Sequence, residues 1–369
     1  MSYIAYKNIK YSKESFIRAV TEYFESGEKA PSDFLMGIEL EHFVVRRDDS
    51  GAYRRVRFDG DDGIESILRE AADICKAEGL DIRLAISEGH LIGFSSADYS
   101  ITLEPGAQLE VSIRPVAKVQ EARDIYDSFY RLFEPLFSRR KYELVSCSYS
   151  PDSSGDLPPL IPKMRYECMD KWFDKTGTMG KEMMRNTCAT QVTFDYKDET
   201  DFVRKYRMAV LLTEEILERY NNPPVIAGRD PAEYRCIRKK IWENVDKDRC
   251  SLPDGVFTDD FGYRSYAEYL WDIIPLVIEE KCGEEIRCID TGDKTAGCLW
   301  QSGVLKQKDI PHLLSMVFPP VRLRNYIEIR YADSLPPDAA FEYMEIMKQY
   351  IYGDEHEVKK QEAVYVQGR

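Results

Sequence analysis

Apolar residues recur along this chain with two periods. From Ser12 to Gly27 the spacing of Phe16, Val20, Tyr23 and Phe24 predicts an amphipathic helix, with Ser12 as its N-cap and Gly27 as its terminator. Asp62 to Gly79 repeats the pattern with Ile64, Ile67, Leu68, Ala71 and Ile74. Two more helices are predicted over Glu121–Arg139 and Glu199–Tyr220, the second carrying Phe202, Val203, Tyr206, Val210 and Leu217 on one side. Between Tyr149 and Lys163 the stretch PDSSGDLPPLIPK reads as a loop.

Four other segments alternate with period two, the signature of strands with one buried face. In MGIELEHFVV, Ile38 and Leu40 point one way while Glu39 and Glu41 point the other, about 7 Å apart. In ITLEPGAQLEVSIRP, Leu109, Val111 and Ile113 oppose Gln108, Glu110 and Ser112, with Glu104 just before a Pro-Gly corner. TCATQVTFD sets Thr187, Gln191, Thr193 and Asp195 against Cys188, Val192 and Phe194. VRLRNYIEIRYAD, read as one strand, sets Arg322, Arg324, Tyr326, Glu328 and Arg330 against Val321, Leu323, Ile327 and Ile329.

A solvated outer face also alternates in this way. The polar residues of the first two strands, however, are carboxylates and an amide without a lysine. If these strands are neighbours, bare carboxylates about 7 Å apart repel by roughly 2 kcal/mol per pair at an effective dielectric near 20. Such a cluster calls for cations, and hard oxygen ligands suit Mg²⁺, which keeps waters and bridges to substrate phosphates. Arg324 and Arg330, sharing a face with Glu328, suit the phosphate end of the same substrate. Alternation sends His42 to the opposite face, so it reads as structural.

Composition narrows the field. With 51 basic against 65 acidic residues the net charge is −14, which argues against a nucleic-acid partner, since binding a phosphate backbone needs a basic patch. No apolar run reaches membrane-spanning length, and no leader-like segment opens the chain, so a cytoplasmic location and no membrane partner are expected. Nine scattered cysteines without a Cys-x-x-C pair read as reduced thiols, and the four histidines show no zinc-ligand spacing with them. Without a repeat or long linker, all 369 residues are read as one α+β domain: a curved, mainly antiparallel sheet with acids on its concave face and helices on its outer side.

Six segments in order, GIELEHF, SITLEPGAQLEVS, MRYECM, TGTMGKEMMRNTCATQVTFDY, RKKIWENVDKDR and FPPVRLRNYIEIRYAD, resemble the plant-type group of glutamate-cysteine ligases, carboxylate-amine ligases related in fold to glutamine synthetase. The matches run from Gly37 to Asp333. The resemblance implies that ATP phosphorylates the γ-carboxylate of L-glutamate and that an amine, L-cysteine first among candidates, displaces the phosphate. It implies Glu39, Glu41, Glu104, Glu110 and Glu328 as Mg²⁺ ligands, with Gln191 a weaker member. Glu328 and Arg330 are then the catalytic pair, Arg238 the partner of the glutamate α-carboxylate with Trp242 beside it, and Arg249, Arg324 and Arg330 the phosphate contacts. Arg165 and Tyr166 would line the amine side. Gly177 and Gly180 in TGTMG read either as a phosphate-cradling loop or as a tight turn, and Met183 and Met184 as core.

Three features depart from the family. EEILERYNNPPV is more charged than the corresponding stretch, the region from Asp290 to His312 is contracted, and Tyr331 stands where the family carries a glycine. These bear on the amine more than on the ATP and glutamate half. Three readings stay open: a γ-glutamylcysteine synthetase, a γ-glutamyl ligase for another amine, and a non-catalytic nucleotide or metabolite binder.

Overall fold

The computed structural model describes residues 11–282 and 285–353. Twelve strands form one sheet: β1 (Met36–Arg47), β2 (Tyr53–Arg55), β3 (Arg83–Ser87), β4 (His90–Ser95), β5 (Tyr99–Leu103), β6 (Leu109–Val116), β7 (Tyr142–Val145), β8 (Thr190–Phe194), β9 (Val277–Cys282), β10 (Glu285–Asp290), β11 (Val321–Leu323) and β12 (Ile327–Ile329). Their order is β11-β12-β8-β1-β6-β5-β4-β3-β10-β9, with β2 and β7 paired to the far half of β1. All described pairings are antiparallel except β10 with β3. The α+β architecture is therefore as expected, although the sheet stays open and uncurled where a curved one was expected.

Ile38, Leu40, Leu109, Val111, Val192 and Phe194 bury the apolar face. Helices Ile64–Ala77, Val119–Ser138 and Pro337–Tyr352 cover it. The first helix, Lys13–Glu25, starts where expected, with the Ser12 hydroxyl accepting from the Ser15 N–H. Gly27 follows it for a second reason: a Cβ there would lie 2.2 Å from the Asn325 carbonyl oxygen. His42 faces away from the acids, its Nδ1 3.0 Å from Ser146 Oγ and its Nε2 3.2 Å from Tyr126 Oη. Burial pushes its pKa down to about 4, so the ring is neutral. All eight cysteines whose side chains are described are free thiols. No helix among the described residues is long and apolar enough to cross a membrane.

Two elements differ from expectation. The helix predicted over Glu199–Tyr220 breaks at Leu212 into Glu199–Leu211 and Thr213–Arg219. There the Thr213 hydroxyl donates back to the Ala209 carbonyl, a side-chain bond that bends helices. VRLRNYIEIRYAD is a hairpin and not one strand: β11 and β12 pair Arg322 with Glu328 across a turn at Arg324–Tyr326. The turn holds an odd number of residues, so alternation continues unbroken through the reversal.

Candidate active site

The acids gather because of register. On β1, Glu39 faces Ser112 of β6 and Gln191 of β8, while Glu41 faces Glu110 of β6. Glu328 of β12 lies opposite Thr193 of β8. Glu104 stands at the β5–β6 corner, where its N–H donates to the Gln108 carbonyl. Ala107 in that corner has φ 63°, a left-handed conformation that costs a non-glycine residue about 1 kcal/mol. The Gln108 amide holds the corner in place, accepting from Gly106 N and donating to the carbonyls of Met184 and Thr187. Arg55 donates to the carbonyls of Gly106 and Arg185 from below.

All five glutamates line one pocket of about 210 Å³, together with Gln191, Arg165, Tyr166, Arg238, Trp242, Arg322, Arg324 and Arg330. Helices Met164–Thr176, Gly180–Asn186 and Ile237–Trp242 supply its opposite wall. Met183 and Met184 are buried core residues that also form part of its floor.

The environment sorts the carboxylates into two kinds. Burial works against the charge of Glu328, but Arg322 and Arg330 overcome it and hold its pKa at about 2. Arg322 grips it bidentately and Arg330 Nη1 adds a contact at 3.3 Å. The others are pushed the opposite way. Burial, then the charges of Glu110 and Glu328, raise Glu39 to about 8. Burial and Glu104 raise Glu110 to about 7, even though Thr102 Oγ1 donates to it at 2.7 Å. Burial followed by Glu104 and Glu110 lifts Glu41 well above the ordinary range, and burial lifts Glu104 against the pull of Lys163, Arg165 and Arg330.

Several residues have roles that their sequence positions do not reveal. Gln191 donates to Glu41 Oε1 at 2.9 Å and accepts from Arg330, so its amide ties an acid to an arginine and its oxygen keeps one lone pair. Arg238 lines the pocket, yet its guanidinium already donates to the carbonyls of Arg330, Tyr331 and Ala332. Its Nε, buried and without a hydrogen bond, keeps one donor unengaged. Arg249 lies outside the pocket lining, and its nitrogens are committed to Asp246 and to the carbonyls of Met316 and Ile274, an arrangement that suits a structural role. Arg324 does line the pocket. Arg165 donates to Ser315, and the Tyr166 hydroxyl to the Leu103 carbonyl, both at the pocket wall. Gly177 and Gly180 are close-packing glycines and not a phosphate loop: a Cβ would come within 2.2 Å of Asn244 O and of Phe173 Cβ respectively. Arg322 is the residue the sequence reading passed over. Its signal was present in its place on the polar face, but its partner became visible only once the hairpin was folded.

The donor set fits a hard divalent cation. Glu39 and Glu104 make no side-chain hydrogen bond among the described residues, and burial first, with like-charge repulsion added to it, keeps four of the acids from ionising freely. Among the described residues no three His, Cys, Asp or Glu side chains close on a single point as a cage would. That spacing suits an ion that keeps waters and shares substrate oxygens.

A sheet-borne pocket lined by carboxylates and arginines together defines a small-molecule site built for anionic ligands and their counter-cations. The chain belongs to glutamate-cysteine ligase family 2, whose family profile matches residues 35–364. It is 30% identical over 318 residues to glutamate–cysteine ligase A, chloroplastic, of Oryza sativa subsp. japonica, an alignment covering 85% of this chain and 62% of that one. Glutamate–cysteine ligase, chloroplastic, of Medicago truncatula is 29% identical over 85% of this chain and 60% of its own length, and that of Arabidopsis thaliana 29% over 85% and 58%. The matched part thus spans about six tenths of these relatives. Among solved structures, a Plasmodium falciparum glutamine synthetase aligns with 92% of this chain and 55% of its own at 9% identity and a TM-score of 0.35, a likeness too slight to carry argument.

Proposed function

We propose that this chain is an ATP-dependent γ-glutamyl ligase. The γ-phosphoryl group of ATP passes to a γ-carboxylate oxygen of L-glutamate, giving γ-glutamyl phosphate and ADP. The amine nitrogen then bonds to the carbonyl carbon of the γ-carboxyl group (Cδ), the bond from that carbon to the phosphate oxygen breaks, phosphate departs and an amine proton is released to solvent. Cysteine, which the relatives' names carry, is the first acceptor to test.

The observation that carries this reading is the meeting of glutamates and arginines in one pocket. Phosphoryl transfer needs neutralised charge and aligned partners more than a covalent nucleophile. Mg²⁺ bound among Glu39, Glu41, Glu104 and Glu110 would draw charge from the phosphate oxygens. Arg330, fixed between Glu328 and Gln191, presents its cation to the phosphate being transferred. Glu328 acts as the anchor that keeps Arg322 and Arg330 in place. Arg238, with its unengaged Nε, is offered to the glutamate α-carboxylate, and Trp242 packs beside it.

Phosphate release measured with ATP, Mg²⁺, L-glutamate and a panel of amines including cysteine tests the proposal. Amine-dependent release accompanied by a γ-glutamyl amide in the mass spectrum is expected. ATP binding without turnover for any amine would leave the non-catalytic reading. The same chemistry with an amine other than cysteine is favoured by one observation, a larger chamber against the arginine end of the pocket.

A further inference from the structure

A second cavity adjoins the acid pocket. Its volume is about 610 Å³ against about 210 Å³, and the two share Arg238, Trp242, Phe318 and Arg330. Its own walls differ in kind. Leu217, Leu252, Val256 and Tyr331 join the rings of Trp242 and Phe318, whose centroids lie 5.8 Å apart. Charged side chains line it as well: Lys239 pairs with Glu214 at 2.6 Å and Arg238 donates to three backbone carbonyls, while Glu243, Lys247 and Asp254 stand in the same lining. Aliphatic and aromatic side chains nevertheless supply more than half of the lining residues. Such a chamber does not recognise a polyphosphate, and it greatly exceeds what a thiomethyl side chain fills.

Position narrows the occupant further. The chamber touches Arg330, the cation assigned above to the transferred phosphate, so a group seated in it starts beside the acyl carbon. Its lining also includes Glu214, Leu217 and Tyr331, which fall in the segments that the resemblance marks as departing from the family pattern.

We propose that this chamber receives the side chain of the acceptor amine, and that the acceptor is an amine carrying a bulky apolar or aromatic substituent. The inference rests on the ligation reading and names its acceptor class.

The test pairs turnover with direct binding, in the whole chain and in Leu252→Trp. Leu252 is half-buried in the chamber's outer loop and belongs to neither the acid pocket nor the catalytic set, so a larger side chain there fills the chamber without touching the chemistry. With ATP, Mg²⁺ and glutamate, phenethylamine and L-phenylalanine should give a kcat/KM about tenfold or more above that of cysteine. L252W should lower that figure about tenfold or more while leaving the KM values for ATP and glutamate unchanged. Equal kcat/KM for cysteine and the aromatic amines would overturn the proposal, as would a rise in the ATP KM of L252W, which would place the nucleoside in the chamber. Calorimetric titration of phenethylamine separates this inference from the ligation reading. If no amine supports turnover, ligation fails, but binding to the parent that L252W abolishes still supports the chamber as an apolar-amine site. Absent or equal binding in the two folded proteins, judged by matching circular dichroism, overturns it.

Discussion

Removing one charge from the acid cluster should make the fold stronger and the enzyme weaker. Glu39 has an ordinary carboxyl value near 4.5 when exposed, and one of about 8 where burial, Glu110 and Glu328 surround it. A group raised in the folded state adds nothing unfavourable below its unfolded value, and it destabilises the fold as pH climbs through its folded one. The full gap corresponds to about 4 kcal/mol at pH 8. That figure already includes the pull of Arg330 and Arg322; because Glu110, on the neighbouring strand, can hold a proton in place of Glu39, the part lost with Glu39 alone is nearer the roughly 2 kcal/mol by which one carboxylate pair at strand spacing repels. Glu39→Gln, close in shape to the protonated acid, should therefore match the parent in urea unfolding at pH 5 with EDTA present, and exceed it by about 2 kcal/mol at pH 8. Adding Mg²⁺ at pH 8 should recover the deficit of the parent and do less for the variant. Turnover of the variant should fall by orders of magnitude, because a ligand for the cation is gone. Parent and variant unfolding at the same urea concentration at pH 8, without divalent cation, would refute the reasoning.

Arg238→Ala should raise the glutamate KM by about one to three orders of magnitude with little change for ATP, and lysine should rescue it only in part because it lacks the planar fork. Since Arg238 also binds three carbonyls, the alanine variant should unfold at lower urea as well, and an unchanged glutamate KM in a folded variant would remove it from the site. Arg249→Lys should leave the ATP KM unaltered while weakening the fold by about 2 kcal/mol, since it disturbs a buried carboxylate pair and two carbonyl bonds. A selective rise in the ATP KM would restore it as a phosphate contact. Arg322→Met removes the larger of the two attractions on Glu328. The stability tied to that low pKa is present above the ordinary value and lost as pH falls through about 2, so acid unfolding of the variant should begin at higher pH. Coincident acid transitions would count against the pairing.

Much of this site could be read before folding because the sheet buries one face completely. Burying Ile38, Leu40, Leu109 and Val111 leaves Glu39, Glu41 and Glu110 no choice of side, and a one-residue slip would invert the whole pattern. The same periodicity concealed the hairpin at Arg324–Tyr326, since an odd turn preserves parity. The inward turn of Arg249 was hidden for a different reason. Proximity in a motif does not fix direction, and the Asp246 that caps its short helix also draws the guanidinium inward. The engagement of Gln191 with Glu41 and Arg330, and of Arg238 with the chain after β12, depends on long-range packing that no local pattern encodes. Sheet curvature likewise follows from pairing and packing across many strands, beyond the reach of single-strand alternation.

The order of the strands gives the pocket a direction. At the β11–β12 end, Arg322, Arg324 and Arg330 surround one acid, Glu328, that stays charged at any working pH. At the β1–β6–β5 end, Glu39, Glu41, Glu104 and Glu110 crowd together with fewer cations per carboxylate and hold protons more tightly. A polyphosphate drawn to the arginines with its cations drawn to the acids would lie along this gradient, across the sheet rather than along a strand. The group transferred would then sit near Arg330, where the acid pocket meets the apolar chamber. On the proposed ligation, an activated acyl group formed there would have the apolar chamber against it. Activation and attack would then proceed from opposite sides of one arginine, without the substrate leaving the site between them.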